Sequence, residues 1–435
     1  MWSKVYQFIR KHNLLDDNEL YIVALSGGAD SVALLLLLKE HGFNVHAAHC
    51  NFHLRGDESN RDEAFCESLC REQNVPFHRV HFDTHTYAEL HQVSIEMAAR
   101  ELRYRWFEQL RTDIGAAGVC VAHHRDDLVE TVLMNMVRGT GVHGLVGIKA
   151  RNGHVLRPFL SVSRDEIEHF LSERGQNYVT DSTNLADEAT RNKVRHHLVP
   201  LLRQLNVQVV ENIQRMAERM ADVEEIVANR VKEVVQQRSE HSFEILEEFV
   251  QNAYLLYEAV RGFGFNSSQS LQLYETLQSH QAGSMFSSGK YDAAVDRGRI
   301  LIEPVLKPMM PLKVPETGVY LLEDSRRFCI RKSSRTISKD SAVATVDAQK
   351  VRFPLVVRRV RKGDWMVPYG MKGRKLLSDL MTDLKFSIFD KRKQLVVVDA
   401  QDVIIWLVGV RVSAAVAVTD YTGEVLKMNL TPIEA

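Results

Sequence analysis

Tyr21-Ile22-Val23-Ala24-Leu25-Ser26-Gly27-Gly28-Ala29-Asp30-Ser31-Val32-Ala33-Leu34-Leu35-Leu36-Leu37-Leu38 reads as a buried strand, a tight glycine turn and a helix. Two adjacent glycines let the backbone approach a ligand closely and present several N–H groups together. The helix behind them adds its positive dipole end. Ser26 and Ser31 can donate hydroxyls to phosphate oxygens, and Asp30 can hold a magnesium ion. The string is not the Walker loop, because no Lys follows the glycines, and it lacks the G-x-G-x-x-G spacing of dinucleotide folds.

Working outward, residues 1 to about 210 alternate strand-like and helix-like segments. Val45–His49, Phe77–Phe82 and Val119–His123 read as strands; Glu58–Gln73, Ser94–Arg111 and Asp126–Arg138 read as helices. Such alternation argues an α/β domain with a doubly wound parallel sheet, whose ligands sit at the carboxyl ends of the strands. The glycine loop, His49 and His123 all fall at such ends. From about 205 to 240 apolar residues recur at three and four (Val210, Ile213, Met216, Met220, Val223, Val227, Val231), which predicts a long linking helix. Further helices at Tyr254–Arg261 and Ser268–Ser279 follow, then short strands between Gly283 and Glu303. A proline-bearing connector (Pro304, Pro308, Pro311, Pro315) leads to a β-rich final segment. The expected division is a catalytic domain at 1–212, a mostly helical middle domain with its connector at 213–340, and a small β-rich domain at 341–435.

The 435 residues carry 45% hydrophobic and 26% charged residues, ordinary for a globular protein, and suggest two to four domains. The net charge of −1 means that nucleic-acid binding must come from local patches. No apolar run approaches the ~20 residues of a membrane span. The start shows no signal-peptide core. Five cysteines, odd in number and without a C-x-x-C pair, fit a reducing cytoplasm and structural roles. The expected location is cytoplasmic.

A second motif opens the helix after the fourth strand: Ala122-His123-His124-Arg125-Asp126-Asp127-Leu128-Val129-Glu130-Thr131. Two adjacent carboxylates, an imidazole and a glutamate one turn on can hold magnesium and a substrate ammonium.

The glycine loop resembles the pyrophosphate loop of the ATP pyrophosphatase superfamily, which cuts ATP between the α and β phosphates, usually to adenylate a substrate. Together with the second motif, the chain closely resembles the tRNA(Ile)-lysidine synthetase family. The resemblance runs on through Arg138-Gly139-Thr140-Gly141-Val142-His143-Gly144-Leu145, Leu156-Arg157-Pro158-Phe159-Leu160, Asp181-Ser182-Thr183-Asn184 and Arg191-Asn192-Lys193-Val194-Arg195. It includes Glu96, Arg100, Arg103 and Tyr104, and in the final segment Gly363-Asp364 and Pro368-Tyr369-Gly370-Met371-Lys372-Gly373.

The resemblance implies a ligase that forms a carbon–nitrogen bond. It would adenylate the wobble cytidine of an isoleucine tRNA with a CAU anticodon, then join L-lysine through its side-chain amine, releasing pyrophosphate and AMP. ATP and Mg2+ are the expected cofactors; monomer and homodimer both stay open. By the same resemblance Ser26, Gly27, Gly28, Ala29, Asp30 and Ser31 cradle ATP, with Asn51 and Arg100 beside them. Asp30 and Asp127 hold magnesium. Asp30, Asp127, His123 and Arg191 act in catalysis. Asp126, Glu130 and Arg195 meet substrate. One stretch departs from the family: where relatives have N-H-G-L-R, this chain has Asn51-Phe52-His53-Leu54-Arg55, so only Asn51 and Arg55 carry over.

Between Lys350 and Lys393 thirteen Lys and Arg stand against four Asp, a net of +9, with Trp365, Tyr369 and Phe386 interleaved. That pattern suits a tRNA surface made of phosphate contacts and stacking, with Lys372, Arg374 and Lys375 as its expected contacts. Three other readings compete. A tRNA thiolase of the superfamily would want cysteine sites. A small-molecule synthetase of the amidotransferase type would leave the basic segment unexplained. An RNA-binding protein with a dead nucleotide site conflicts with intact Asp30, Asp126 and Asp127.

Overall fold

The computed structural model describes residues 1–180, 190–280, 283–334, 336–338, 340 and 342–432. The chain falls into two compact units, Met1–Ile226 and Val227–Ala435.

The first unit begins with α1 (Trp2–Lys11), β1 (Leu20–Ala24), α2 (Ala29–Glu40), β2 (Asn44–Asn51), α3 (Asp57–Glu72), β3 (Phe77–His81), α4 (Thr84–His91), α5 (Ile95–Asp113) and β4 (Gly118–Cys120). There follow α6 (Arg125–Val137), α7 (Val142–Leu145), a hairpin of β5 (Arg151–Asn152) and β6 (Val155–Leu156), and α8 (Arg164–Ser172). It ends with α9 (Thr190–Lys193), a π-helical turn at Val194–Leu198, α10 (Val199–Leu205) and most of α11 (Val209–Val234). The sheet order is β3-β2-β1-β4-β6-β5, parallel except for the β5–β6 pair.

β1 explains why this sheet is covered on both faces. Tyr21 and Val23 belong to a large core with α2, α3 and α8, while Ile22, one step out of phase, joins a second core with Phe107 and Leu110 of α5. α2 buries Ala29 and every residue from Ser31 to Leu38, so it is apolar nearly all round, as a central helix must be. Cys66 and Cys70 sit in the same core, and burial pushes the Cys70 thiol up to about 12. All five cysteines are free. Cys66, Cys70 and Cys120 are packing residues, not the reactive thiols that the thiolase reading needs.

The second unit opens with the end of α11 and a five-stranded antiparallel sheet. Its strands are β7 (Val235–Ser239), β8 (Ser242–Leu246), β9 (Met285–Ser287), β10 (Tyr291–Val295) and β11 (Arg299–Pro304), in the order β7-β8-β11-β10-β9. α12 (Ala253–Arg261) and α13 (Ser267–Gln278) pack on it through Leu256, Val260, Leu273 and Leu277. β7 lies where the pattern predicts helix, because α11 ends at Val234 and β7 is a mostly exposed polar edge strand without apolar alternation.

Two further antiparallel sheets complete the unit. One has five strands, Leu312–Val314, Leu355–Arg359, Leu395–Val398, Ile404–Leu407 and Arg411–Val412. The other has four, Gly318–Leu321, Arg326–Ser333, Val425–Pro432 and Val343–Asp347. Their inner faces share one core around Phe328, Val357, Trp406 and Met428. The proline-bearing connector thus supplies strands to these sheets: Arg326–Ser333 pairs along its whole length with Val425–Pro432.

Arg358 and Asp364 form a two-pronged pair inside this domain, at 2.7 and 3.0 Å, with side chains only 5% and 12% exposed. Burial works against the Asp364 charge, but hydrogen bonds from Arg358 and the Arg361 amide hold its carboxyl below the usual range. Asp364→Asn takes the two-pronged carboxylate from a buried guanidinium, leaving it Asp402 at 3.7 Å, and should cost about 3 kcal/mol. A depressed carboxyl stabilises the fold above its unfolded pKa of about 4 and loses that effect as pH falls through the folded value. The gap in urea stability between wild type and Asp364→Asn should therefore be full at pH 7 and close below about pH 4. A gap unchanged by pH would contradict this.

Candidate active site

β1 runs straight into the glycine loop. Leu25 N–H still bonds to Ala48 of β2, at 2.9 Å, so the loop starts from a fixed point. Gly27 has φ +89°, and a Cβ there would lie 3.3 Å from Cys66 Sγ and 3.4 Å from Val179 Cγ2. Both the left-handed backbone and the lack of space require glycine. The Ser31 hydroxyl accepts from Ser26 N–H (3.1 Å) and donates to the Gly28 carbonyl (3.0 Å), tying the turn to α2. Ser26 is exposed and Gly28 caps α2 without a side chain, which leaves the first-turn amides facing outward.

Next to this loop lies a cluster of charges. Asp30 Oδ2 accepts from Arg164 Nη1 of α8 at 2.6 Å, while its buried Oδ1 has no hydrogen-bond partner. His124, 4% exposed, has Nε2 at 3.9 Å from Asp30 and 3.5 Å from Asp127, and Nδ1 at 3.5 Å from Asp126. Burial lowers the His124 pKa, but Asp126, Asp127 and Asp30 outweigh it and raise it above the ordinary imidazole value. Against burial, His124 and the Arg164 amide hold Asp126 down at about 2. Asp127 is likewise lowered, burial being overcome by His124, Arg191 and its bond from the His124 amide. Asp30 goes the other way: burial raises it more than His124 and Arg164 lower it.

Glu130, one turn after Asp127 and 2% exposed, accepts from Arg191 Nε and Arg195 Nε, both at 2.6 Å. The same arginines reach Asp127 Oδ1 at 2.9 and 3.4 Å. Two guanidiniums thus clamp two carboxylates of α6, with geometry suited to charge-assisted bonds.

One cleft of about 690 Å³ collects the exposed parts of this region: Ser26, Gly28, Asp30, Ser31, Asn51, Arg100, His123 and Asp127 all line it. Asp126, Glu130, Arg191 and Arg195 are not among its lining residues; the two arginines reach Asp127 from α9 and the π-helical turn. Asn51 is fully engaged, donating to Glu63 at 2.8 Å and accepting from the His53 amide, so it shapes the turn after β2. Asp181-Ser182-Thr183-Asn184 lies outside the described residues. Lys372 and Arg374 are exposed in the second unit, with Arg374 stacked 4.1 Å over the Trp365 ring, and Lys375 pairs with Asp383. The expected basic surface is thinner than its charge count: Arg358 is buried, and Arg392 and Lys393 pair with Asp292 and Glu303.

Sequence reasoning missed Arg164. Ser163 and Glu166 announce its helix as a capping box, but the reach of its side chain to Asp30 is a tertiary contact without a local signal.

Among the described residues no group of three or more His, Cys, Asp or Glu side chains converges as a metal cage. Magnesium rarely needs one, since it takes one or two carboxylates and completes its shell with substrate phosphates and water. Asp30, with a free buried oxygen beside loop amides suited to phosphate, fits that role.

Comparison with known proteins decides the assignment. Residues 2–202 match the PP-loop domain family, and residues 237–305 match the TilS substrate binding domain. The tRNA(Ile)-lysidine synthase of Parabacteroides distasonis is 41% identical, covering 97% of this chain and 98% of that protein. The chain belongs to the tRNA(Ile)-lysidine synthase family. The Bacteroides thetaiotaomicron member is 39% identical over 98% of both chains, and that of Geobacillus kaustophilus 31% over 95% and 96%. The chain is thus related along its length to these enzymes.

The loop geometry makes a direct prediction. Gly27→Ala forces a left-handed alanine, at about 1–2 kcal/mol, and pushes the turn away from Cys66. The KM for ATP should rise at least tenfold while the protein stays folded. An unchanged KM would contradict the loop as the phosphate cradle.

Proposed function

We propose that this protein joins L-lysine to the wobble cytidine of an isoleucine tRNA with a CAU anticodon, in two steps at the cleft of the first unit. The observation that carries this reading is that the glycine loop, Asp30, His123 and Asp127 open onto one cleft, in a chain related end to end to lysidine synthases.

In the first step the cytosine carbonyl oxygen attacks the α-phosphorus of ATP. The bond to the β-phosphate breaks and pyrophosphate leaves. In the second step the lysine ε-amine attacks the ring carbon that bears the adenylate, AMP departs with the former carbonyl oxygen, and the amine loses a proton. A cytosine oxygen is a poor leaving group; as AMP it is a good one. A bound magnesium ion would supply charge neutralisation to the phosphates, with Asp30 and Asp127 as its ligands. The amides at the start of α2 take up phosphate charge. Arg191, held by Glu130, keeps its guanidinium beside Asp127, where it can meet the charge of the departing AMP. Asp126, with its low pKa, stays ionised and can attract the lysine ammonium. Lys372, Arg374 and Lys375 are proposed to grip tRNA phosphates, with exposed Trp365 and Tyr369 available for stacking. Five free cysteines suit a reducing cytoplasm.

The test is incubation with ATP, magnesium and radiolabelled lysine, using the isoleucine tRNA transcript and an initiator methionine tRNA as control. Label should enter only the isoleucine tRNA. AMP formation without labelled tRNA would keep the nucleotide chemistry and discard the substrate. Asp30→Ala and Asp127→Ala should each reduce adenylation at least a hundredfold while tRNA affinity holds; normal turnover in either would contradict the site. Lys372→Ala combined with Arg374→Ala should weaken tRNA binding and flatten its salt dependence by about one unit of slope per lost phosphate contact. An unaltered slope would make this a solvated face.

A further inference from the structure

Arg157 has no part in the steps above, yet it is one of the few buried cations of the first unit, at 6% exposure. Its Nη1 donates to the Lys149 carbonyl at 2.8 Å, and its Nε donates to His123 Nδ1 at 3.3 Å. The direction of that second bond is not negotiable. A guanidinium has only donors and does not lose its proton in a protein. Its partner nitrogen must offer a lone pair, so Nδ1 carries no proton. A neutral imidazole then holds its single proton on Nε2.

We propose that Arg157 is a positioning residue that fixes His123 as the Nε2–H tautomer, making His123 a neutral hydrogen-bond donor to the cleft and not a base. With Nδ1 engaged and Nε2 protonated, the ring has no lone pair left for a proton from lysine. That proton goes instead to a carboxylate or to water. The surroundings agree. Arg157, Arg191 and Arg100 place positive charge around the ring, with Asp127 acting against them. A second positive charge beside this cluster of guanidiniums is disfavoured, so the ring stays neutral. The fixed tautomer stands on the Arg157 bond alone. Its use, donation to the oxygen charge that builds on the α-phosphate, rests on the reading under Proposed function.

The experiment is a long-range proton–nitrogen correlation spectrum of the full chain labelled with 15N-histidine, at pH 7.5, with His123 identified by its loss in His123→Gln. The expected pattern is a protonated Nε2 and a bare Nδ1. A protonated Nδ1, or a doubly protonated ring, would overturn the proposal. Arg157→Gln, checked for folding by circular dichroism, should turn the single tautomer into a mixture; an unchanged pattern in the folded variant would remove Arg157 from the role. Should that variant not fold, the wild-type spectrum still decides the tautomer, and two substitutions decide the use. A Gln amide nitrogen overlays Nε2 and an Asn amide nitrogen overlays Nδ1. His123→Gln should keep adenylation within about tenfold, and His123→Asn should lose about a hundredfold or more. Equal loss in both would contradict the donor role. Absence of adenylation in the wild type would count against the proposed reaction and leave the spectrum to judge the tautomer.

Discussion

β1 is hydrogen-bonded to β2 along one side and to β4 along the other, and the chemistry of the first unit depends on that arrangement. From β1 the chain winds outward through β2 to β3, then returns across the sheet to β4. The strands on the two sides of β1 therefore part at their carboxyl ends and leave a crevice. The glycine loop leaves β1 at this point, and His123 to Asp127 leave β4 at the same level. Residues about a hundred positions apart in sequence are brought together by strand order alone. Helices on both faces keep the strands dry, which is why β1 and the start of α2 form an almost unbroken apolar run.

A second constraint is electrical. Taking Asp30, Asp126, Asp127 and Glu130 out of water is tolerable only if cations accompany them. His124, Arg164, Arg191 and Arg195 do so, and each comes from a different turn or helix. The network leaves Asp30 Oδ1 as a buried carboxylate oxygen of this cluster without a hydrogen bond. Structure and readiness for a ligand are thus aspects of one arrangement: hydrogen-bonded carboxylates hold the helices in register, and Asp30 Oδ1, with only His124 Nε2 at 3.9 Å, keeps its hydrogen-bonding capacity unused.

Much of this was legible in the sequence. The third strand, expected at Phe77–Phe82, runs over Phe77–His81, and the helix expected at Glu58–Gln73 runs over Asp57–Glu72, because apolar periodicity is set by the same core that fixes the elements. Two-residue β5 and β6 are too short to leave a period, and exposed β7 has no apolar side to display. At the site, residue types named the chemistry but not the contacts. Nothing local shows that Ser31 also ties its own turn, that Asn51 also holds Glu63, or that Arg164 reaches Asp30. A charge count over 350–393 likewise cannot see that Arg358, Arg392 and Lys393 are matched by internal acids. Local pattern reports which face is buried; it does not report which distant side chain meets it.

The central claim is that a tRNA oxygen, not water, attacks the α-phosphorus in the cleft beside the glycine loop. The most direct measurement follows that oxygen. With the carbonyl oxygen of the wobble cytidine labelled as 18O, mass spectrometry of the released AMP reads its fate. The account predicts one 18O per AMP, matched to lysine incorporated. Unlabelled AMP accompanying lysine transfer would contradict it.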